Sequence, residues 1–150
     1  MKKRILNSLI ILAIKATVLA STPSKTFEGQ YVGRETLTAY RSVREQTDDT
    51  PFNTSTGAHV HAGGVAVSRD LLCLDCRRLH RRCPCPMGGG RLHYGDWLYI
   101  DGVGFFEVND IMGARATKHI DVWVSSLAEE KAFDRRFRGT TADVWRIEAK

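Results

Sequence analysis

The chain has 150 residues, 43% apolar and 26% charged, a balance that suits one folded domain and excludes a disordered or fibrous chain. Its formal net charge is +5, from 22 basic and 17 acidic side chains, but residues 1–20 carry four of the bases and none of the acids, which leaves 18 against 17. That balance gives no basic face on which to argue nucleic-acid binding, and no nucleic-acid partner is expected.

The first segment reads as an export signal. Met1-Lys2-Lys3-Arg4 is a basic start, Ile5 to Leu19 is mostly apolar, with Lys15 its one charge, and Val18-Leu19-Ala20 fits cleavage after Ala20. The apolar run is short for a membrane span, and no cysteine follows it to carry a lipid. The mature chain is therefore expected outside the cytoplasm (periplasm, cell wall or beyond), with no membrane attachment after cleavage. Residues 21–35 read as a polar leader, and the folded domain is expected over 36–150.

In "ETLTAYRSV", Leu37 and Ala39 alternate with Thr and Tyr, the pattern of a half-buried strand. "EQTDDTPFNTSTGAHVHAGG" is rich in turn residues, with Pro51 and Gly57 as breakers. Val65 to Val67 is a short apolar strand. Residues 73–90, closed by Gly88-Gly89-Gly90, read as a loop insertion. "GDWLYIDGVGFFEVND" is a hairpin about Asp101-Gly102, a strong turn dipeptide. "HIDVWV" and "ADVWRIE" are two further strands. Between them lies one helix: Ser126 caps it, Glu129 completes a capping box, Ala128, Ala132, Phe133 and Phe137 form its apolar face, and Gly139 ends it. Short strands, few helices and frequent turns make the chain mainly β and predict a small closed barrel.

Cys73, Cys76, Cys83 and Cys85 all fall within "CLDCRRLHRRCPCP". An even, clustered set in an exported chain favours two local disulfides. The alternative is a metal knuckle with His80 between the pairs, though zinc sites usually repeat C-x2-C rather than use C-x-C. His59 and His61 alternate but lack a third ligand. Arg77, Arg78, Arg81 and Arg82 make the insertion locally basic, which is ordinary for a solvated loop.

Asp110 and Asp121 pose the sharper question, because each sits in or at the end of an apolar strand. Asp110 can be read as ending a strand and capping a turn. Asp121 lies between Ile120 and Val122-Trp123 and is harder to explain that way; a catalytic role competes there with a structural hydrogen-bonding role and with metal binding. Apolar neighbours and a second carboxylate both raise an aspartate's pKa, and Asp110 is the plausible second carboxylate.

"LTAY", "TPFNTSTG", "GGVAVSRDLL", "LHYGDWLYIDGVGFFEVND", "HIDVWV", a short helix and "TADVW" succeed one another in the order of the three-aspartate domain family, which the chain resembles over roughly residues 36–147. The resemblance implies a small six-stranded double-psi β-barrel with one or two short helices, similar to the catalytic barrel of membrane-bound lytic transglycosylase A. By position, Asp49, Asp110 and Asp121 correspond to the three family aspartates, with Asp121 as the acid/base. Ile111-Met112-Gly113 stands where the family usually has Thr-Gly-Gly, and the cysteine-rich insertion is not a usual family feature.

The same resemblance implies a glycosidic-bond-cleaving enzyme of the cell wall, acting on peptidoglycan glycan strands without a cofactor. Such cleavage needs a proton on the leaving oxygen, supplied by an acid of raised pKa. Thr54, Ser55, Thr56 and Gly57 form a hydroxyl-rich loop and are candidates for binding sugar hydroxyls; the alternative is a turn bonding its own backbone. Tyr40 and Trp123 are candidates for stacking on sugar faces, against a core role. Lys118 is a candidate for a substrate carboxylate, against a solvated charge. Two other functions compete: a non-catalytic peptidoglycan-binding module, and a metal or redox protein built on Cys73, Cys76, Cys83 and Cys85.

Overall fold

The computed structural model describes residues 29–46, 49–73 and 92–147. The expected signal peptide, most of the expected leader and the interior of the cysteine-rich insertion lie outside the described residues. The elements run β1 (Gly29–Tyr40), β2 (Gly64–Val67), β3 (Trp97–Ile100), β4 (Gly104–Ile111), β5 (His119–Trp123), α1 (Leu127–Phe137) and β6 (Thr141–Ile147). The six strands close into one barrel in the order β1-β5-β2-β4-β3-β6. β1 with β5, and β2 with β4, pair in parallel; the other four pairings are antiparallel.

Alternation along the strands fills the barrel. Leu37, Val65, Val67, Leu98, Ile100, Val108, Ile120 and Val144 are fully buried and meet inside it. Each such side chain contributes about 1.5–3 kcal/mol by leaving water. The residues between them point outward, and on one side of the barrel the outward row lines a cleft.

One boundary differs from the sequence reading. β1 begins at Gly29, so residues 29–35 belong to the barrel and not to a leader. They pair with β6 from Gly29↔Ile147 to Glu35↔Ala142, with a register shift between Tyr31 and Gly33. Two glycines and that irregularity break the alternation by which a strand is read from sequence.

The hairpin is as expected: β3 and β4 pair from Trp97↔Glu107 to Ile100↔Gly104 about Asp101-Gly102-Val103, with Gly102 at φ +73. The helix also starts as expected. Ser126 accepts from the Glu129 amide at 3.2 Å, while the Glu129 carboxylate reaches one residue further back, taking the Ser125 amide and hydroxyl at 2.8 Å each. The insertion leaves and returns at one place, since Leu72 bridges Leu92 and the Cys73 amide donates to the Leu92 carbonyl at 2.8 Å. Cys73 is buried, and no cysteine among the described residues is free. No helix among the described residues is long and apolar enough to cross a membrane.

Candidate active site

The two aspartates meet through a third strand. Ala66 on β2 pairs with Asp121 of β5 on one side and with Asp110 of β4 on the other. Thr38 of β1 pairs with Asp121 from beyond. Directly paired residues share a face of the sheet, so Thr38, Asp121, Ala66 and Asp110 form one row across four strands. Ala66 is the small residue between two carboxylates, and it leaves a hollow there. That hollow is a cleft of about 470 Å³ lined by Tyr40, Ser55, Arg69, Asp110, Met112 and Asp121, among others.

Asp110 reaches this face through a bulge. Val65 pairs with Val108, but Ala66 pairs with Asp110, so Asn109 is the extra residue. Without it, strict alternation from core-facing Val108 would turn Asp110 inward. The bulge re-aims the carboxylate outward, a common use of bulges at functional sites. Asn109 itself is buried, its Nδ2 lies 3.2 Å from His61 Nε2, and it packs where a side chain on Gly64 would stand: a Cβ there would come within 2.3 Å of Nδ2.

Asp110 Oδ1 accepts the backbone amides of Ser55 and Ile111, each at 2.8 Å. It thereby ties the loop of residues 49–60 to the barrel. The Ser55 hydroxyl continues the tie, 2.9 Å from the Tyr94 hydroxyl. Tyr40, nearly fully buried, places its hydroxyl 3.5 Å from Asp110 Oδ2. Burial, then the charges of Asp110 and Asp121, push the Tyr40 phenol well above its ordinary range, so it stays a neutral donor.

Asp121 is different. Its Oδ1 accepts the Thr38 hydroxyl at 2.6 Å, and the same hydroxyl oxygen lies 2.9 Å from His119 Nε2. Burial pushes the Asp121 carboxyl up from 3.8 to about 6, the Thr38 hydrogen bond opposes that rise, and the charges of Asp134 and Glu130 on α1 add to it. Asp110, the neighbour expected to raise it, is not a source. The two strand spacings across Ala66 keep them apart, roughly 10 Å between backbones, and the helix supplies the like charges instead. Glu130 is itself held ionised by Arg41 and Gln46, the arginine first.

The other expected residues divide. Tyr40 lines the cleft. Thr54 is buried, its hydroxyl taken by Thr56 Oγ1 at 2.7 Å and the Ala58 carbonyl at 3.2 Å, while Gly57 supplies φ +83 and its amide donates to Thr54. Those three build a turn, and of the four loop candidates it is Ser55 that lines the cleft. Asp49 is exposed and does not line it. Lys118 stands in the left-handed region at φ +48, its amide held by Asp70 at 3.0 Å, beside a second cavity of about 390 Å³ bounded also by Arg34, Glu35 and Leu71. Trp123 donates to Ser42 at 3.0 Å and is half-buried.

Sequence reasoning missed Thr38, His119 and Arg69. Arg69 lines the cleft and makes no hydrogen bond or ion pair among the described residues, so its cation borders the same cleft as the two carboxylates. His59 and His61 each bond a nearby carbonyl, Phe52 at 3.2 Å and Ala62 at 3.0 Å. Among the described residues no three His, Cys, Asp or Glu side chains converge as a metal site would require. Compared with known proteins, the chain matches no family model and no curated protein.

Proposed function

We propose that the chain is an exported enzyme that cleaves glycosidic bonds of peptidoglycan in the manner of a lytic transglycosylase, with Asp121 as its acid and then its base. The observation that carries this reading is the state of Asp121: a half-buried carboxyl, raised to about 6, in an open cleft beside a small residue. Such a group is protonated near neutral pH often enough to donate and is basic enough to take a proton back. The proton goes to the leaving glycosidic oxygen. The sugar's own 6-hydroxyl then gives its proton to Asp121 and closes a 1,6-anhydro ring, the outcome implied by the resemblance to the three-aspartate family. A single acid/base suffices for that sequence, whereas ordinary hydrolysis uses two carboxylates with separate tasks. Asp110, committed to two amides, shapes the cleft.

Further features support the reading. Parallel pairs (β1 with β5, β2 with β4) interleaved with antiparallel ones suit a double-psi barrel. Arg69 suits the anionic lactyl or peptide carboxylates of a muramyl chain. Export after cleavage at Ala20, with the four cysteines paired in the insertion, belongs to the same proposal.

A second reading, a non-catalytic wall-binding module, draws on the cleft wall at Ile111, Met112 and Gly113, where the family's Thr-Gly-Gly is replaced. One experiment separates the two. The chain from residue 21 is incubated with purified peptidoglycan, and the soluble products are analysed by mass spectrometry. Anhydro-muropeptides from the wild type and none from Asp121→Asn support the enzyme. Co-sedimentation with peptidoglycan and no products supports the module.

A further inference from the structure

Thr38 touches two groups at once. Strands β1 and β5 run parallel in a register that pairs Thr36 with His119 and Thr38 with Asp121. His119 and Asp121 are two residues apart on one strand and so share a face. The Thr38 hydroxyl bridges them, 2.6 Å from Asp121 Oδ1 and 2.9 Å from His119 Nε2. The frame behind this bridge is fixed. The His119 amide donates to Ser68 Oγ and the Ser68 amide to the His119 carbonyl, each at 3.0 Å, while the Lys118 carbonyl accepts the Thr36 amide at 2.9 Å.

The direction of the bridge is set by the number of protons. A hydroxyl has one, and an ionised carboxylate can only accept. The Thr38 proton therefore points at Asp121, and His119 must present an N–H from Nε2 to the hydroxyl oxygen. We propose that His119, acting through Thr38, is a positioning residue for Asp121: it fixes the hydroxyl's direction, keeps Oδ1 occupied as an acceptor, and confines the titrating proton to Oδ2. This rests on the reading of Asp121 as the acid. It adds to that reading the oxygen that reacts and the tautomer of a histidine outside the cleft lining. Without the Nε2 donor the hydroxyl is free to turn, and either carboxyl oxygen can take the proton.

Other charges also face Asp121. Glu130 and Asp134 approach from α1, with Arg41 on Glu130 and Arg138 on Asp134, Tyr40 bonded to Asp110 stands across the cleft, and Arg69 lines the same cleft. All are left untouched by the substitutions that test the bridge. The measurement is the titration of the Asp121 carboxyl carbon by NMR in the absence of substrate, with a thermal melt for each variant. Thr38→Val removes a hydrogen bond to the charged form and is expected to raise the midpoint by about one pH unit. Thr38→Ser is expected to titrate as the wild type. His119→Phe is expected to raise the midpoint in the same direction, and His119→Gln, whose amide N–H reaches the same place without a charge, to restore it. A midpoint unmoved by Thr38→Val, or a His119→Gln protein that titrates like His119→Phe, overturns the proposal; the second outcome would show that only the imidazole's charge matters. The histidine pair decides the question even if Thr38→Val fails to fold. Because no substrate is present, a chain that titrates as stated but releases no anhydro-muropeptides refutes the proposed activity and leaves the bridge standing.

Discussion

Asp121 carries a cost that the folded chain bears for having an acid in a half-buried place. Its carboxyl is raised from 3.8 to about 6. A raised acid holds its proton in the folded state at pH values where the unfolded state has lost it. Between about pH 4 and 6 the folded chain thus binds more protons, and stability from this group falls as pH rises, levelling off above 6. At about 1.4 kcal/mol per unit the full effect is at most about 3 kcal/mol. Asp121→Asn removes it. The variant is expected to match the wild type near pH 4, to exceed it by about 1–3 kcal/mol at pH 8, and to cleave nothing; urea unfolding at the two pH values measures this, and an Asn variant less stable than wild type at pH 8 would contradict it. Asp110 should behave in the opposite sense. Its carboxylate serves the amides of Ser55 and Ile111, so Asp110→Ala is expected to lose about 1–3 kcal/mol through the unpaired donors. The same variant should leave the alkaline limb of the cleavage profile where the wild type has it, near pH 6, since Asp110 is not a source of the Asp121 shift. A limb that moves down by a unit or more would restore the coupling that the sequence suggests.

The elements that were legible in the sequence are those whose signals are local. Asp101-Gly102 announced the β3–β4 turn, and Ser126 with Glu129 announced the start of α1, because the residues that decide a turn or a cap lie within a few positions of it. The pairing that makes the site was not legible. Nothing in "LTAY" says that Thr38 will lie beside Asp121, since a parallel pairing is set by the whole chain path. The bulge at Asn109 is hidden for a related reason: in "EVND" the alternation simply slips, and a reader who continues the period turns Asp110 inward. The signal that could have exposed it is Gly64, which leaves room for the Asn109 amide. Gly64→Ala places a methyl within 2.3 Å of Asn109 Nδ2 and must displace that buried amide. A loss of about 1–3 kcal/mol is expected from the overpacking, together with weaker binding of peptidoglycan as Asp110 and its loop shift. Denaturant midpoints and co-sedimentation report the two effects. Unchanged stability would mean that the amide moves aside freely and the bulge does not depend on it.

At the scale of the molecule, the decisive property is that the barrel is closed. Closure leaves no sheet edge unpaired and holds the four-strand row of the cleft at fixed spacing. It is completed where β1 meets β6, and most of that seam is made by residues 29–35, the stretch that reads as leader. Val32 is buried in the core, Tyr31 packs on Trp145 with ring centroids 5.5 Å apart and donates to Asp143 at 2.8 Å, and Arg34 Nε donates to Thr141 at 3.1 Å. Beyond Tyr31 and Trp145 the row of rings continues to Tyr99 and Phe105, at 6.0 and 5.1 Å, so four strands are joined by aromatic neighbours across their outer face. A chain beginning at residue 36 keeps only Thr36↔Thr141 of the described β1–β6 pairs. It gives up the burial of Val32, one ring contact and a run of ladder hydrogen bonds, and it exposes β6 as an edge. Those losses, at about 1.5–3 kcal/mol for the valine alone and roughly 0.5–1.5 kcal/mol for each hydrogen bond, compare with a whole-domain stability of about 5–15 kcal/mol. The chain from residue 36 is therefore expected to be unfolded or aggregated, and the chain from residue 29 to be monodisperse with one cooperative melt. Circular dichroism melts and size-exclusion chromatography of the two compare them directly. A chain from residue 36 that melts cooperatively at the same temperature as the longer one would place the domain boundary back where the sequence alone suggested it.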